Sequence, residues 1–435
     1  MSARGMTDRS GFLAAGHTPT LIAALLYFDV SFMAWVLLGP IAPFLREGFH
    51  LSATQTGLIT AIPLLGGSLF RPIMGLLGDR IGGRRAGMIG MTLTLVPLFL
   101  AWRFASGLSH FYALGFFLGI AGASFAVALP LVSRWYPPEY QGLAMGIAGA
   151  GNSGTLLATL FAPRLAERFG WASMFGFAML PLALVFIVFV LFARDSPAPR
   201  RVATARDYRA VLSESDTLWL AFLYSLTFGG FVGFSSFLTT FFHEQYQLSR
   251  VSSGDFTTLV VVAGSFLRPV GGWLSDRLGG YKLLVLLLVT FAACLCVVSA
   301  APPLRVAVAV LFVGMGALGM GNGAVFQLVP QRFPERIGLV TGIVGAAGGL
   351  GGFFLPTLLG MAKDYSGSYR SGLLVCVGLF LTGTLVLLEL GAWWSRRWAP
   401  AAVDRAGIFA YRSAGLQSGA RVQSGAATVS DESPA

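Results

Sequence analysis

The chain has 435 residues, of which 55% are hydrophobic and only 11% charged, against roughly 25% charged in soluble domains. A mean hydropathy of +0.73 spread along the whole length excludes a soluble enzyme and points to repeated crossing of a bilayer, about 20 apolar residues per span. The net charge of +11 raises nucleic-acid binding, which the placement of the charges argues against below.

Arg4, Asp8, Arg9 and His17 precede the first apolar run. That run lacks a small-residue cleavage site and exceeds a signal-peptide core, so it reads as a retained first helix. Apolar runs bounded by charged or Pro/Gly-rich breaks fall at about 20–45, 57–78, 86–105, 110–133, 141–163 and 170–193. A polar stretch from Arg194 to Asp216 follows, then six more runs at about 217–242, 255–275, 281–301, 305–329, 337–361 and 370–393. The reading is an all-α polytopic membrane protein of twelve transmembrane helices. It comprises an N-terminal segment (1–19), a six-helix bundle (20–193), a linker (194–216), a second bundle (217–393) and a tail (394–435). The tail is rich in Ala, Gly, Ser and Arg without periodicity and is expected to be disordered. Cys294, Cys296 and Cys376 lie in apolar runs without ligand-like spacing, so neither a disulfide framework, a metal site nor a cofactor is indicated.

Orientation follows from the 30 Lys and Arg residues. With the N-terminus inside, 20 fall in cytoplasmic segments, 8 in the opposite loops and 2 inside helices, which predicts a cell-membrane protein with both termini cytoplasmic. This bias accounts for the basic excess without a nucleic-acid partner.

The chain repeats itself. Gly67 to Gly83 reads GSLFRPIMGLLGDRIGG and Gly264 to Gly280 reads GSFLRPVGGWLSDRLGG, ten identities in 17 at an offset of 197. The same offset places Gly119, Gly122 and Pro137 on Gly316, Gly319 and Pro334. Two parallel six-helix halves are a common plan for secondary transporters, with the substrate site between the halves near the bilayer midplane.

The two intrahelical cations, Arg71 and Arg268, are repeat equivalents. Arg71 precedes Asp79, at the end of its helix, by eight residues, or about 12 Å into a core about 30 Å thick. A buried Arg costs at least about 2.5 kcal/mol on insertion scales and normally faces a cavity and a partner. No matching pair of embedded carboxylates exists, so an anion is the expected partner, and the planar guanidinium fork suits a planar oxyanion.

The following loops carry Asp79-Arg80-Ile81-Gly82-Gly83 and Asp276-Arg277-Leu278-Gly279-Gly280. This resembles the loop between the second and third helices of the major facilitator superfamily, echoed between the eighth and ninth; the resemblance implies gating roles for Asp79, Arg80, Asp276 and Arg277. The glycine-rich GLAMGIAGAGNSGTLLATLFAP (142–163) and GIVGAAGGLGGFFLP (342–356) resemble the paired signature segments of the nitrate/nitrite porter family, and Arg71 and Arg268 match its substrate-binding arginines. Carried over by the same resemblance are Asn152, whose amide could donate to an oxyanion, and Tyr224 and Phe228, which share a helix face at i, i+4. Phe125 matches a fourth-helix aromatic, and Gly149 and Gly345 are repeat equivalents at the expected substrate cavity.

Asp29 stands inside the first helix, either as a proton carrier or as a hydrogen-bonded structural carboxylate. The family contains nitrate/nitrite exchangers and proton-coupled nitrate symporters, so the resemblance implies a monomeric carrier with nitrate, nitrite and protons as partners in the lipid bilayer, and no enzymatic step. The weighed alternatives are a small-organic-anion exchanger of the oxalate/formate type, a cation/proton drug exporter, disfavoured by two arginines and few acids, and a membrane anion sensor acting through its tail.

Overall fold

The computed structural model describes residues 9–197, 204–334 and 336–408. Among the described residues, eleven helices or kinked helix pairs are long and apolar enough to cross a membrane, and a twelfth crossing, the fifth in order, is split by a tight turn. The first segment runs Thr18–Trp35 and Leu38–Phe49, the second Ala53–Ile81, the third Gly83–Phe104, the fourth Leu108–Gly122 and Phe125–Ser133. The fifth consists of Pro138–Gly149, a 3-10 turn Ala150–Ser153 and Gly154–Phe169, and the sixth is Ser173–Phe192. The second half follows as Ser215–Tyr246, Arg250–Phe266 with Arg268–Leu278, Gly280–Ser299, Leu304–Arg332, Ile337–Ser366 and Arg370–Arg397. No strand occurs among the described residues.

The breaks have local causes. Pro40 would set its ring against the carbonyl of Val36 in a continuous helix, and the first segment parts there. Pro269 does the same to the carbonyl of Ser265, and the eighth segment restarts at Arg268. Its repeat equivalent Pro72 is absorbed within an unbroken helix. The eighth segment also begins five residues before the expected position 255, because Ser249 caps it by accepting from the Ser252 N–H at 3.1 Å. Asp255, awkward as the first residue of a span, sits a turn inside and pairs with Arg164 of the fifth segment. The duplicated Asp-Arg-x-Gly ends in Gly82 at φ 99° and Gly279 at φ 88°, a backbone conformation that glycine adopts without a Cβ penalty.

Three short helices flank the spans. Arg9–Ala15 precedes the first, Ala205–Leu212 lies in the linker, and Pro400–Ala406 follows the last. The tail expected to be disordered from 394 is therefore helical to Arg397 and again over Pro400–Ala406, where Ala402, Val403 and Ala406 are buried. Residues 409–435 lie outside the described residues.

The two six-helix halves meet along three seams: second against eleventh, fifth against eighth, and first against seventh. Glycines permit the closeness of these and neighbouring contacts. Gly57 lies against the Pro356 carbonyl, Gly360 against that of Ala53, and Gly351 against Ser225 of the seventh segment. Gly151 and Gly154 of the fifth segment lie against Phe28 and Asp29 of the first. Tight packing thus accounts for many of the glycines in both rich stretches.

Candidate functional site

Arg71 is only 2% exposed, ten residues before the end of the second segment at Ile81. The fourth segment tightens at Ala123–Ser124, where Ala126 N–H turns to the Ala123 carbonyl and the Gly122 carbonyl accepts from Arg71 Nε at 3.0 Å. Arg71 Nη1 donates across the seam to the carbonyl of Gly345 in the eleventh segment. Its Nη2 is buried without a partner. The guanidinium carbon lies 5.1 Å from the centroid of Trp35, 5.4 Å from that of Phe125 and 5.3 Å from that of Phe228. Ring faces attract a cation, more so where water is excluded.

Arg268 starts the second half of the eighth segment and lies 5.6 Å from the Phe326 ring centroid. Its Nη1 is likewise buried and unpartnered. The two guanidinium groups are near enough to repel each other, and both act on Tyr224. Tyr224 stacks on Phe228 at 5.2 Å with 6° between planes and meets Phe326 at 4.8 Å. Phe326 stacks in turn on Phe125 at 6.4 Å, across the two halves. The expected residues Arg71, Arg268, Tyr224, Phe125, Phe228 and Gly345 therefore converge on one buried centre. No carboxylate pairs with either arginine among the described residues. Each of the two guanidinium groups faces aromatic rings and keeps one donor unused, and planar guanidinium donors match the acceptors of a small planar anion.

Other expected residues lie around this centre in different roles. Asn152 is fully buried in the 3-10 turn of the fifth segment, where the nearby carbonyls assign its amide the orientation that donates to Gly149 and Ala150 at 3.2 and 3.3 Å. It braces the helix break. A side chain at Gly149 would meet nothing within 4 Å, so packing does not require that glycine. Asp29 accepts from the Ser153 hydroxyl at 2.6 Å, tying the first segment to the same break. Asp79 accepts from Arg134 at 2.6 Å, whereas Asp276 has no ion pair among the described residues. Arg80 is exposed, and Arg277 lies 4.0 Å from the Trp273 ring centroid.

Sequence reasoning missed Trp35, Phe326 and the Gly122 carbonyl. Trp35 lies in an apolar run with nothing to single it out, and its Nε1 donates to the Pro63 carbonyl at 2.6 Å. Phe326 had a usable signal: it follows the tenth-segment stretch Gly319 to Gly323, whose density of glycine marks a close helix contact.

The profile of the Major Facilitator Superfamily matches residues 23–356. The chain belongs to the major facilitator superfamily. A Mycobacterium tuberculosis protein described as "Probable nitrate/nitrite transporter NarK2" is 36% identical over 374 residues, covering 84% of this chain and 94% of that protein. The "Nitrite extrusion protein" of Bacillus subtilis is 33% identical over 368 residues, covering 84% and 92%. At these identities and coverages the chain belongs with the nitrate/nitrite porters of the superfamily. The crystal structure of a D-xylose-proton symporter superposes with a TM-score of 0.72 at 16% identity, covering 85% of this chain and 97% of that one, which shows the superfamily fold.

Proposed function

We propose that this superfamily member carries nitrate and nitrite across the cell membrane by alternating access, with both termini in the cytoplasm. The observation that carries the reading is the pair of repeat-related arginines, each with a buried unused donor, among aromatic rings and without a carboxylate partner among the described residues. At an effective dielectric of about 20, an anion about 4 Å from each of two cations gains about 8 kcal/mol, and cations about 8 Å apart repel by about 2 kcal/mol. Anion binding would therefore outweigh the repulsion that opposes closing, before desolvation is counted. The relatives named for nitrate and nitrite support the choice of ion, and the bias of Lys and Arg toward the terminus-bearing segments supports the orientation.

In this scheme Arg71 and Arg268 hold the anion, Tyr224 adds a hydroxyl, and Phe125, Phe228 and Phe326 exclude water. No covalent step is needed. The bond from Asn152 to its local carbonyls would have to open for its amide to join. The empty carrier would reorient slowly because closing brings two bare cations together, which favours obligatory exchange unless a proton path intervenes. Asp29, bonded to Ser153, is the carboxylate to test for that path.

The test is nitrate uptake by proteoliposomes of purified protein, comparing interior nitrite with an imposed inward proton gradient. Stimulation by interior nitrite alone indicates an exchanger with a structural Asp29. Stimulation by the gradient, lost in Asp29→Asn, indicates a symporter. Oxalate or formate competing better than nitrite would overturn the choice of ion. Arg71→Lys and Arg268→Lys each keep the charge but lose the fork, and uptake is expected to fall at least about tenfold; near-normal uptake in both variants would refute paired hydrogen bonding to the anion.

A further inference from the structure

Asn322 lies inside the tenth segment, fully buried, and neither its Nδ2 nor its Oδ1 has a hydrogen-bond partner. Buried amides are nearly always bonded, and one with both ends unmet calls for an explanation. Its position supplies one. At the offset of 197, Asn322 is the repeat equivalent of Phe125, the residue whose ring faces Arg71 in the first half. It precedes Phe326 by four residues, so the two share a helix face, and Phe326 is the ring against Arg268. The same stretch of helix runs along the arginine's backbone, because a side chain at Gly323 would meet the Arg268 carbonyl and one at Gly319 the Gly264 carbonyl. On the neighbouring seventh segment, Thr227 packs against Gly321 and also carries a buried hydroxyl without a partner. The second half thus sets an amide at the register where the first half sets an aromatic ring, one turn before the ring that faces Arg268, whose Nη1 is unmet.

We infer that Asn322 is a further substrate-contacting residue, its amide N–H2 donating to an oxygen of the bound oxyanion that the arginines leave free. The inference rests on the anion-carrier reading above and deepens it. Guanidinium forks grip an oxyanion two oxygens at a time. A donor from a third direction favours an ion with three acceptor oxygens over one with two. Nitrate has three and nitrite two, so Asn322 sets the preference between them.

The experiment measures nitrate and nitrite affinities of the purified full chain by competition against labelled nitrate. Asn322→Leu keeps the branching and heavy-atom count while removing the amide, and nitrate affinity is expected to fall about tenfold or more, the scale of a lost hydrogen bond to a charged group, with nitrite changing much less. Asn322→Asp, nearly identical in shape, carries the test if the leucine variant does not fold; its carboxylate is expected to weaken both ions, nitrate more. A merely structural amide would lower thermal stability while leaving the nitrate-to-nitrite affinity ratio at its wild-type value, and that unchanged ratio in a folded variant overturns the inference. Wild-type protein that binds neither ion would instead refute the carrier reading, which keeps the two failures apart.

Discussion

The two ends of the molecule are held by opposite kinds of contact. At the end away from the termini, ion pairs join the first segment to the seventh and eighth and the fifth to the eighth, and a carboxylate bonded to backbone N–H groups crosses the second–eleventh seam. Arg46 pairs with Glu244, Glu47 with Arg250, and Arg164 with Asp255, and a hydrogen bond joins Glu47 to His243 at 3.0 Å. Asp364 accepts from the N–H groups of Ala53 and Thr54 at 3.0 and 2.8 Å. Tyr369 donates to Glu244 at 2.8 Å, and burial, reinforced by that carboxylate, raises the phenol's pKa so that it stays a donor. At the terminus-bearing end, among the described residues, Asp79 pairs with Arg134 and Asp216 with Arg332, each within one half. Asp216 also accepts from the indoles of Trp394 at 2.8 Å and Trp398 at 3.2 Å. One end is therefore latched between halves and the other braced inside each half, the arrangement expected of a carrier closed toward the far side.

Three substitutions probe this contrast, and the largest effect belongs to the internal brace. Asp216 is 2% exposed; Asp216→Ala leaves two indole donors without their acceptor and Arg332 with only Glu214, 3.6 Å away, and is expected to destabilise the protein by about 3 kcal/mol. Thermal unfolding in detergent measures it, and an unchanged midpoint would mean that the cluster holds nothing together. Next comes the latch. Glu244→Gln removes the charge that Arg46 faces, with an expected shift of about tenfold in the open-to-closed population, or about 1.4 kcal/mol. Spin labels at the far ends of the first and seventh segments should then gain a longer distance component, and an unaltered distribution would show that the pair does not latch. The smallest effect is Arg164→Ala. Arg164 and Asp255 are 41% and 42% exposed, and such a pair contributes less than about 1 kcal/mol. A change in the distance distribution as large as that of Glu244→Gln would reverse the ranking of the seams.

Much of this was legible in the sequence, for identifiable reasons. Hydropathy gave the order of the spans because each must satisfy its own backbone in lipid, and the repeat singled out Arg71 and Arg268 because embedded cations are rare. What was not legible depends on contacts between distant segments. Pro72 and Pro269 follow arginine in identical dipeptides, yet one is absorbed and the other breaks its helix; the sequence around them does not say which. The Gly122 carbonyl has no side chain to mark it, and at Gly345 the sequence marked the residue but not the carbonyl that Arg71 reaches. Asn152 carried a local signal, but its bonds to Gly149 and Ala150 depend on a 3-10 turn set against the first segment.

The donation from Arg71 to the Gly345 carbonyl has a kinetic implication. One guanidinium both stitches the halves together and, on the proposed reading, grips the cargo, so ion and protein backbone are rivals for the same donors. A carrier refined toward ever tighter loading would discard that internal rival and lose the restoring pull that resets it after unloading. Turnover should therefore peak at intermediate affinity.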